Sequence, residues 1–381
     1  MRLLFALLLV AAPSLADEVR IGHLSLKQDP RYVQDWGYAR LITPPPVVTA
    51  DAARMAVSDL QFTTEAVGLT VTLDAQAANA ADLVATAQAM VAGGDSYLVL
   101  DLPGAQVKQV ADALQGQPVL MVNATAPDDS LRTACYPDMV HSGPSDRQQM
   151  DAMAQYLRAM NWEKVLLLTG DQPEDAQLAD AFALSAERLR ISVEDRRAFT
   201  LAADPENREG NNIRLLTGDV DYDLVFVADT RGEFGRYIPY ATQLPRPVIG
   251  SVGLTAGSWH WAYERDGATQ VSSRFDKLTG RKMQPEDWDV WIGVKSLVTA
   301  ALKVPQADPV KMREFLTSGD LKLDGSKGVT LNYRAWDGQM RQPILLGTED
   351  AVIAVAPVAG FTHQTNDLDT LGTDEAEFHC S

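Results

Sequence analysis

Several side chains suited to binding or catalysis stand just past short apolar runs of this 381-residue sequence. They are Asp101, Thr125, Asp229, Thr230, Arg231 and Ser251. If the apolar runs are parallel strands, these side chains meet beyond the carboxyl ends of a sheet, where ligands bind. Arg231 can hold a carboxylate through two parallel hydrogen bonds. The alternative that stays open is that most of the six are helix caps and turn formers.

A second group of candidates lies in a long loop at residues 27–48 and near a later crossing of the chain. The loop carries Arg31, Tyr32, Trp36 and Tyr38, which we expect to close over the first group. Aromatic rings beside a few charges suit a polar organic molecule with a flat or apolar body. Trp259 is either a stacking wall for such a molecule or packing at a hinge.

The sequence lacks the usual signatures of catalysis and of metal binding. Its five histidines show no metal-ligand spacing, and it contains no Gly-x-Ser-x-Gly nucleophile motif. The acidic run at 367–377 lacks the alternating oxygen ligands of an EF-hand loop, so we expect a solvated tail there. The sequence therefore predicts a protein that is not an enzyme and that holds no metal or cofactor.

The first sixteen residues have the pattern of a secretory signal peptide. Arg2 precedes an apolar run from Leu3 to Ala12, and small residues follow at Ser14 and Ala16. The run is well short of the roughly 20 residues that a membrane-spanning helix needs. We therefore expect cleavage after Ala16 and an exported protein.

Charge and cysteine content narrow the choice of partners and of compartment. The formal net charge is −18, which argues against nucleic acid or anionic lipid as a partner. The two cysteines, Cys135 and Cys380, would meet an oxidising compartment after export. One disulfide between them is the simplest arrangement, and two free thiols are the alternative.

Apolar runs and amphipathic helical patterns alternate along most of the chain, which predicts two α/β halves in tandem, each with a parallel sheet covered by helices on both faces. Residues 126–144 interrupt the alternation, and Ser145 with Gln148 then has capping-box spacing. Residues 254–284 are aperiodic and rich in aromatic residues. Asp337-Gly338 between apolar runs indicates a hairpin.

This order of parts resembles the type I periplasmic binding proteins, in the branch that binds leucine, isoleucine and valine for ABC transporters. The matching segments are ATAPDDSLRTA at 124–134, DVWIGVKSLVTAAL at 289–302 and the closing hairpin KGVTLNYRAWDGQMRQPILL. The resemblance implies two Rossmann-like lobes joined by a three-segment hinge. Lobe one would comprise 17–134 and 256–325, and lobe two 143–252 and 329–358, with the tail 359–381 tied back by the disulfide.

Four segments also resemble the substrate-binding proteins associated with pyrroloquinoline-quinone-dependent alcohol dehydrogenase systems. They are NATAPDDSLRTACYPDMVHSGPS, DTRGEFGRYIPYATQLPRPVIGSVGL, GVTLNYRAWDGQMRQPILL and HQTNDLDTLGTDEAEFHC, and they include both cysteines. This resemblance implies a periplasmic protein that works beside alcohol oxidation, with an ABC permease and a quinoprotein dehydrogenase as partners.

The sequence departs from the amino-acid-binding branch where that branch holds its ligand. Its serine-rich carboxylate-binding loop corresponds here to Asp101-Leu102-Pro103, and Thr230 stands where an aromatic residue is usual. Thr125 matches the threonine that contacts the ammonium, but Ser251 or Val252 replaces the expected glutamate. These departures predict a small organic ligand other than an α-amino acid.

Two functions fit these observations. The first is a solute-binding protein that closes on its ligand by hinge motion; Arg231 and Arg31 would bind the quinone cofactor, whereas Asp101, Thr125 and the aromatic residues would bind an alcohol or aldehyde. The second is an accessory or sensor protein that kept the fold, lost ligand binding and acts as a scaffold for a dehydrogenase. A response to ligands in a stability screen separates the two.

Overall fold

A computed structural model describes residues 17–32, 47–200, 211–304 and 308–381. The predicted signal peptide at 1–16, and Trp36 and Tyr38 of the long loop, lie outside these residues. Within them, no helix has the length and apolar character needed to cross a membrane.

The first lobe is built on a five-stranded parallel sheet of order β2-β1-β3-β4-β5. Its elements are β1 (Asp17–Leu26), α1 (Ala50–Ala66), β2 (Leu69–Ala78), α2 (Leu83–Ala92), β3 (Tyr97–Asp101), α3 (Gly104–Leu114), β4 (Leu120–Asn123), α4 (Asp129–Thr133) and β5 (Met139–His141). Every residue of β3 and β4 is buried, as expected for parallel strands covered on both faces. The segment that interrupts the sequence rhythm thus contributes the fifth strand, which the sequence did not predict.

The second lobe repeats this plan with a four-stranded parallel sheet of order β7-β6-β8-β9. Its elements are α5 (Asp146–Met160), β6 (Lys164–Thr169), α6 (Pro173–Arg188), β7 (Ser192–Ala198), α7 (Ile213–Leu216), β8 (Leu224–Ala228) and β9 (Val248–Gly250). The predicted capping box starts α5: Gln148 N donates to Ser145 Oγ at 3.2 Å, and Ser145 N donates to Gln148 Oε1 at 3.1 Å. The two α/β halves expected from the sequence are confirmed.

The chain then returns through both lobes. The later elements are β10 (Thr255–Gly257), α8 (Ala268–Thr279), α9 (Pro285–Ala301), α10 (Pro309–Thr317), β11 (Leu323–Asp324), β12 (Thr330–Tyr333), β13 (Met340–Arg341), β14 (Ile344–Gly347) and β15 (Val352–Ala356). The strands of the predicted hairpin, β12 and β13, pair antiparallel across Asp337-Gly338. Residues 254–284 are not wholly irregular, because they contain β10 and α8.

Separate hydrophobic clusters support the two lobes. On β3 the alternate residues Leu98 and Leu100 pack towards α2 and α3, and Val99 packs on the other face with α1 and α9. A second pair of clusters encloses the sheet of the second lobe, and the small sheet β10-β14-β15 packs into one of them. Each half of the molecule therefore has its own core.

The late hairpin does not pack as expected from the lobe boundaries at residues 325 and 329 that the sequence analysis proposed. Leu331, Tyr333 and Met340 lie in the first-lobe core, whereas Ile344 and Leu346 lie in the core of the second lobe. Leu345 of β14 also lies in the first-lobe core, so β14 contacts both cores, while the hairpin β12-β13 packs with the first lobe. The other lobe boundaries stay predictions.

The C-terminal segment is tied down rather than solvated. Cys135 and Cys380 form the predicted disulfide, which leaves no free thiol among the described residues. Asp369 is buried and accepts hydrogen bonds from Arg334 Nε at 2.9 Å and Arg341 Nε at 2.8 Å. Leu371 is also fully buried, so the expectation of a solvated acidic tail is wrong for this stretch.

Candidate functional site

A cavity of about 380 Å³ opens between the two lobes, beyond the carboxyl ends of β4, β8 and β9. Both lobes and the crossings between them supply its walls. Its lining residues are Thr125, Pro127, Gly143, Pro144, Asp146, Gln149, Met150, Met153, Glu174, Leu178, Thr230, Gly250, Ser251, Thr255, Ala256, Gly257, Ser258, Pro285, Glu286 and Asp289. The volume lies at the lower end of the range of small-molecule sites.

The first crossing between the lobes lies in the segment 126–144, and its backbone at Gly143 and Pro144 forms part of the cavity wall. A Cβ at Gly143 would lie 2.1 Å from the carbonyl oxygen of Ala124, so only glycine lets the two segments approach this closely. Arg132 holds the same turn, because its Nη2 donates to the Gly143 carbonyl at 3.0 Å. The position of Asp146 in the first turn of α5 follows from this tight crossing and from the capping box at Ser145.

Asp101 lies at the end of β3, where the sequence placed it, but its hydrogen bonds go to the protein itself. Its Oδ1 accepts from Tyr32 Oη at 2.6 Å, Thr125 Oγ1 at 2.8 Å and Arg31 Nη2 at 3.2 Å. Its Oδ2 accepts from Thr49 Oγ1 at 2.5 Å. These four donors occupy the carboxylate, and Asp101 does not line the cavity.

Arg31 and Tyr32 join the same network. Arg31 pairs with Asp29 at 2.7 Å in addition to Asp101, so two carboxylates already balance its charge. Burial, followed by the neighbouring Asp101, raises the pKa of Tyr32 well above its ordinary value, and the phenol stays a hydrogen-bond donor. Of the four predicted site residues in this network, Asp101, Arg31, Tyr32 and Thr125, only Thr125 lines the cavity.

Asp229, Thr230 and Ser251 cluster at the carboxyl ends of β8 and β9. The carboxylate of Asp229 accepts from the backbone N–H groups of Gly232, Phe234 and Gly235 at 3.0, 2.9 and 2.6 Å, so it closes a turn. Asp229 is absent from the cavity wall, whereas Thr230 and Ser251 contribute to it. Asp229 is therefore a turn former, which is the alternative that the sequence analysis left open.

Thr230 and Ser251 are themselves held by protein groups. The N–H and hydroxyl of Thr230 donate to Asp175 Oδ1 at 2.6 and 2.7 Å. Ser251 Oγ donates to the Val227 carbonyl at 3.0 Å and accepts from the Asp229 N–H at 2.9 Å. Both hydroxyl groups are therefore held in fixed positions at the cavity wall.

Two predicted ligand contacts lie away from the cavity. Arg231 is exposed and does not belong to the lining residues. Trp259 is 2% exposed and stacks on Trp288 with ring centroids 5.9 Å apart, inside the first-lobe core. Trp259 thus serves packing, because an indole buried in this core cannot also form a wall of the cavity.

The sequence analysis missed the two acidic residues that α9 brings to the cavity, Glu286 and Asp289. They lie three residues apart on the first turn, so they share a face of the helix. Asp287 between them turns away to pair with Arg281 at 2.6 Å. The available signal was Pro285-Glu286-Asp287, an acidic helix start directly before a largely apolar segment.

Burial raises the pKa of three carboxyl groups at the cavity. Desolvation raises the pKa of Glu286, and it raises that of Asp289 well above the ordinary value. Desolvation, reinforced by Asp129, raises the pKa of Asp146 to about 7. In each of the three groups, the loss of hydration outweighs the stabilising effect of nearby donors and cations on the ionised form.

The described lining contains four acidic residues and no lysine, arginine or histidine. The acids are Asp146, Glu174, Glu286 and Asp289, which we call the acidic wall. Threonine and serine hydroxyl groups accompany them, and Met150, Met153 and Leu178 add apolar surface. The described residues contain no group of three or more acidic, histidine or cysteine side chains that could hold a metal ion. This chemistry suits an organic ligand with donor groups and a short apolar body.

Two α/β lobes with parallel sheets and a cavity between their carboxyl ends define the fold of the type I periplasmic binding proteins. Residues 49–207 match a family model described as periplasmic binding protein. No curated protein sequence matches the chain.

Solved structures of the same fold agree over almost the whole chain. A periplasmic binding protein from Burkholderia mallei is 16% identical, with a TM-score of 0.67 over 96% of this chain and 99% of that one. An ABC transporter substrate-binding protein from Desulfitobacterium hafniense in complex with Leu is 16% identical, with a TM-score of 0.68 over 88% and 99%. An ABC transporter solute-binding protein from R. palustris in complex with benzoate is 12% identical, with a TM-score of 0.62 over 89% and 96%.

Proposed function

We propose that this protein is the periplasmic substrate-binding component of an ABC transporter and is not an enzyme. The observation that carries the proposal is a cavity whose walls come from both lobes, with Thr125 and Glu286 on one side and Ser251 and Glu174 on the other. The matched structures are named as binding proteins of transporters, and two of them hold small molecules.

A ligand in such a cavity drives closure by a shift of populations. Contacts with Glu286 of the first lobe and Thr230 of the second exist together only when the lobes approach each other. Ligand therefore binds the closed form more tightly and increases its population. The closed form then docks on the membrane permease.

The cavity favours a ligand that is not an anion. A carboxylate in the cavity would face the acidic wall. Neither of the two arginines suggested for the quinone cofactor is placed to bind that carboxylate. Arg31 is already paired with Asp29 and Asp101, and Arg231 does not line the cavity. The same argument works against an α-amino acid, whose carboxylate would need a cationic or donor-rich loop in place of Asp101.

The link to alcohol oxidation is a separate part of the proposal. The four segments that resemble substrate-binding proteins of pyrroloquinoline-quinone-dependent systems support it, and both cysteines of the observed disulfide belong to them. A deletion strain tests this link: loss of growth on alcohols, restored by the plasmid-borne gene, supports it. Unchanged growth on every alcohol that the dehydrogenase oxidises contradicts it.

Thermal-shift screening tests ligand binding itself. A panel of alcohols, aldehydes, amines, acids and the free quinone should contain a compound that raises the unfolding temperature. At 100 times its dissociation constant, a ligand adds about 2.7 kcal/mol of stability. A response confined to the acids or the quinone would contradict the assignment of a ligand that is not an anion.

A matched pair of variants assigns a response to the cavity. Gln149→Trp fills the cavity from α5 and should abolish the shift, whereas Gln109→Trp on the exposed face of α3 should retain it. Silence of the unmodified protein across the whole panel would favour the scaffold function.

N-terminal sequencing of the periplasmic protein tests export and cleavage. The sequence should begin at Asp17 if the signal peptide is removed as predicted.

A further inference from the structure

Among the described residues, no lysine, arginine or histidine lines the cavity beside the acidic wall. Asp289 is 4% exposed and faces the cavity, and its Oδ1 has no hydrogen-bond partner among the described residues. A buried carboxylate oxygen left without a donor costs free energy, and native proteins rarely retain one without a reason. Asp289 thus presents an unused acceptor to whatever occupies the cavity.

Lys327, the nearest buried cation, does not donate a hydrogen bond to Asp289. Lys327 lies beneath α9, but its ammonium group donates to Gln342 Oε1 at 2.8 Å and to the Pro343 carbonyl at 3.2 Å. The same group stacks 3.5 Å from the centre of the Trp288 ring. Burial lowers the pKa of Lys327 well below its ordinary value, against the opposing effect of the Asp289 carboxylate, so Lys327 acts on Asp289 through space and not through a hydrogen bond.

Glu286 adds a second acceptor on the same face of α9. Among the described residues, its carboxylate accepts a hydrogen bond only from its own backbone N–H, and it lies one helical turn before Asp289. Asp287, by contrast, is saturated by Arg281 and by the Gln284 N–H. Asp289 is thus hydrogen-bonded by Ser258 and Glu286 by its own backbone N–H, whereas Asp287 alone among the three has an arginine as its partner.

The opposite wall is suited to the rest of a ligand. Met150, Met153 and Leu178 from α5 and α6 give apolar surface, and the hydroxyl groups of Thr230 and Ser251 line the same side of the cavity. A molecule with a cationic head and a short apolar body would place its charge against α9 and its body against α5.

We propose that the cavity takes a small organic cation, an amine or ammonium compound, whose positive group binds between Glu286 and Asp289. This inference rests on the proposed function and specifies its substrate class. A metal ion is a poor alternative, because the described residues offer no cluster of three ligands.

Calorimetric titration with size-matched probes tests the charge preference. The probes are benzylammonium, benzyl alcohol and benzoate, together with butylammonium, 1-butanol and butyrate. We expect the ammonium member of at least one set to bind at least tenfold more tightly than its alcohol, and the carboxylate not to bind. Tighter binding of an alcohol or a carboxylate overturns the inference but retains the proposed function. If no member of either set binds, the inference fails for cations of this size, and the thermal-shift panel decides the function separately.

Two conservative variants locate the cation. Glu286→Gln and Asp289→Asn should each weaken ammonium binding by tenfold or more and leave alcohol binding within about threefold. Glu264→Gln, at an exposed residue away from the cavity, is the matched control and should bind as the unmodified protein does. Glu286 is partly exposed, so its variant should fold even if Asp289→Asn does not. Equal binding by Glu286→Gln and the control would contradict the proposed site.

Discussion

Single residues at the cavity show how the same side chain acquires different roles in different surroundings. Asp101 is surrounded by four donors from the protein, whereas Asp289 keeps an oxygen without any. Both are buried aspartates near the end of a secondary-structure element. The sequence identified Asp101 because it follows an apolar strand, but only the folded chain shows that its hydrogen bonds are already satisfied.

Asp146 gives a prediction about pH. Its pKa of about 7 in the folded state lies above the ordinary value of 3.8, because burial and the neighbouring Asp129 and Asp128 outweigh Gln177 and Arg132. The folded state therefore binds more protons than the unfolded state between these values, and the contribution of Asp146 opposes folding increasingly as pH rises towards 7. We expect Asp146→Asn to gain about 1 to 3 kcal/mol of stability, relative to the unmodified protein, between pH 5 and pH 8.

Urea unfolding at the two pH values measures this gain. Glu264→Gln, an exposed acid elsewhere, should keep a constant difference from the unmodified protein. The same constant difference for Asp146→Asn would show that the pKa of Asp146 is not raised in the folded state.

At the scale of elements, the repeating units were predictable and the irregular ones were not. Continuous apolar strands and the Ser145 capping box follow from local patterns, so the parallel sheets apart from β5, and the helix α5, were predicted correctly. The sequence analysis overlooked α8 although its buried residues Ala268, Val271 and Phe275 have helical spacing, whereas β5 is too short, with three residues, to give a clear pattern. The cavity wall on α9 was missed because helix periodicity tells which face is buried and not which ionised groups stay without a partner.

Asp101 also connects elements, because it joins the segment 29–32 and the start of α1 to β3. Asp101→Ala would leave Arg31 with one carboxylate and Thr49 without its acceptor. We expect a loss of about 3 to 5 kcal/mol in the free energy of unfolding, the usual cost of breaking a buried ionic network. Chemical denaturation measures it.

The control for this change is Asp112→Ala, which removes an exposed carboxylate from α3 and should cost less than about 1 kcal/mol. Equal losses for the two variants would show that the network around Asp101 does not stabilise the first lobe.

At the scale of the whole molecule, the C-terminal segment connects the two lobes, which the hinge alone would constrain less. Arg188 of α6 donates to the carbonyls of Thr370 and Gly372, and Arg334 after β12 donates to those of Leu368 and Leu371. The disulfide attaches the end of this segment to the first crossing. The segment therefore contacts both lobes and the hinge region.

Removing the disulfide should weaken the whole fold. Cys135→Ala with Cys380→Ala opens a covalent loop between residues 245 positions apart, and we expect a loss of about 2 to 5 kcal/mol. Thermal and urea unfolding with and without reductant measure it. Reductant should lower the stability of the unmodified protein to that of the double variant and leave the double variant unchanged; a similar effect of reductant on both would contradict the prediction.

The disulfide also changes the outcome of proteolysis. Any one peptide bond cut between Cys135 and Cys380 leaves the two products attached through sulfur, and the second lobe and the later part of the first lie on that stretch. A nicked molecule thus keeps its pieces at high local concentration and can retain a working cleft, with two bands separating on a gel only after the sample is reduced.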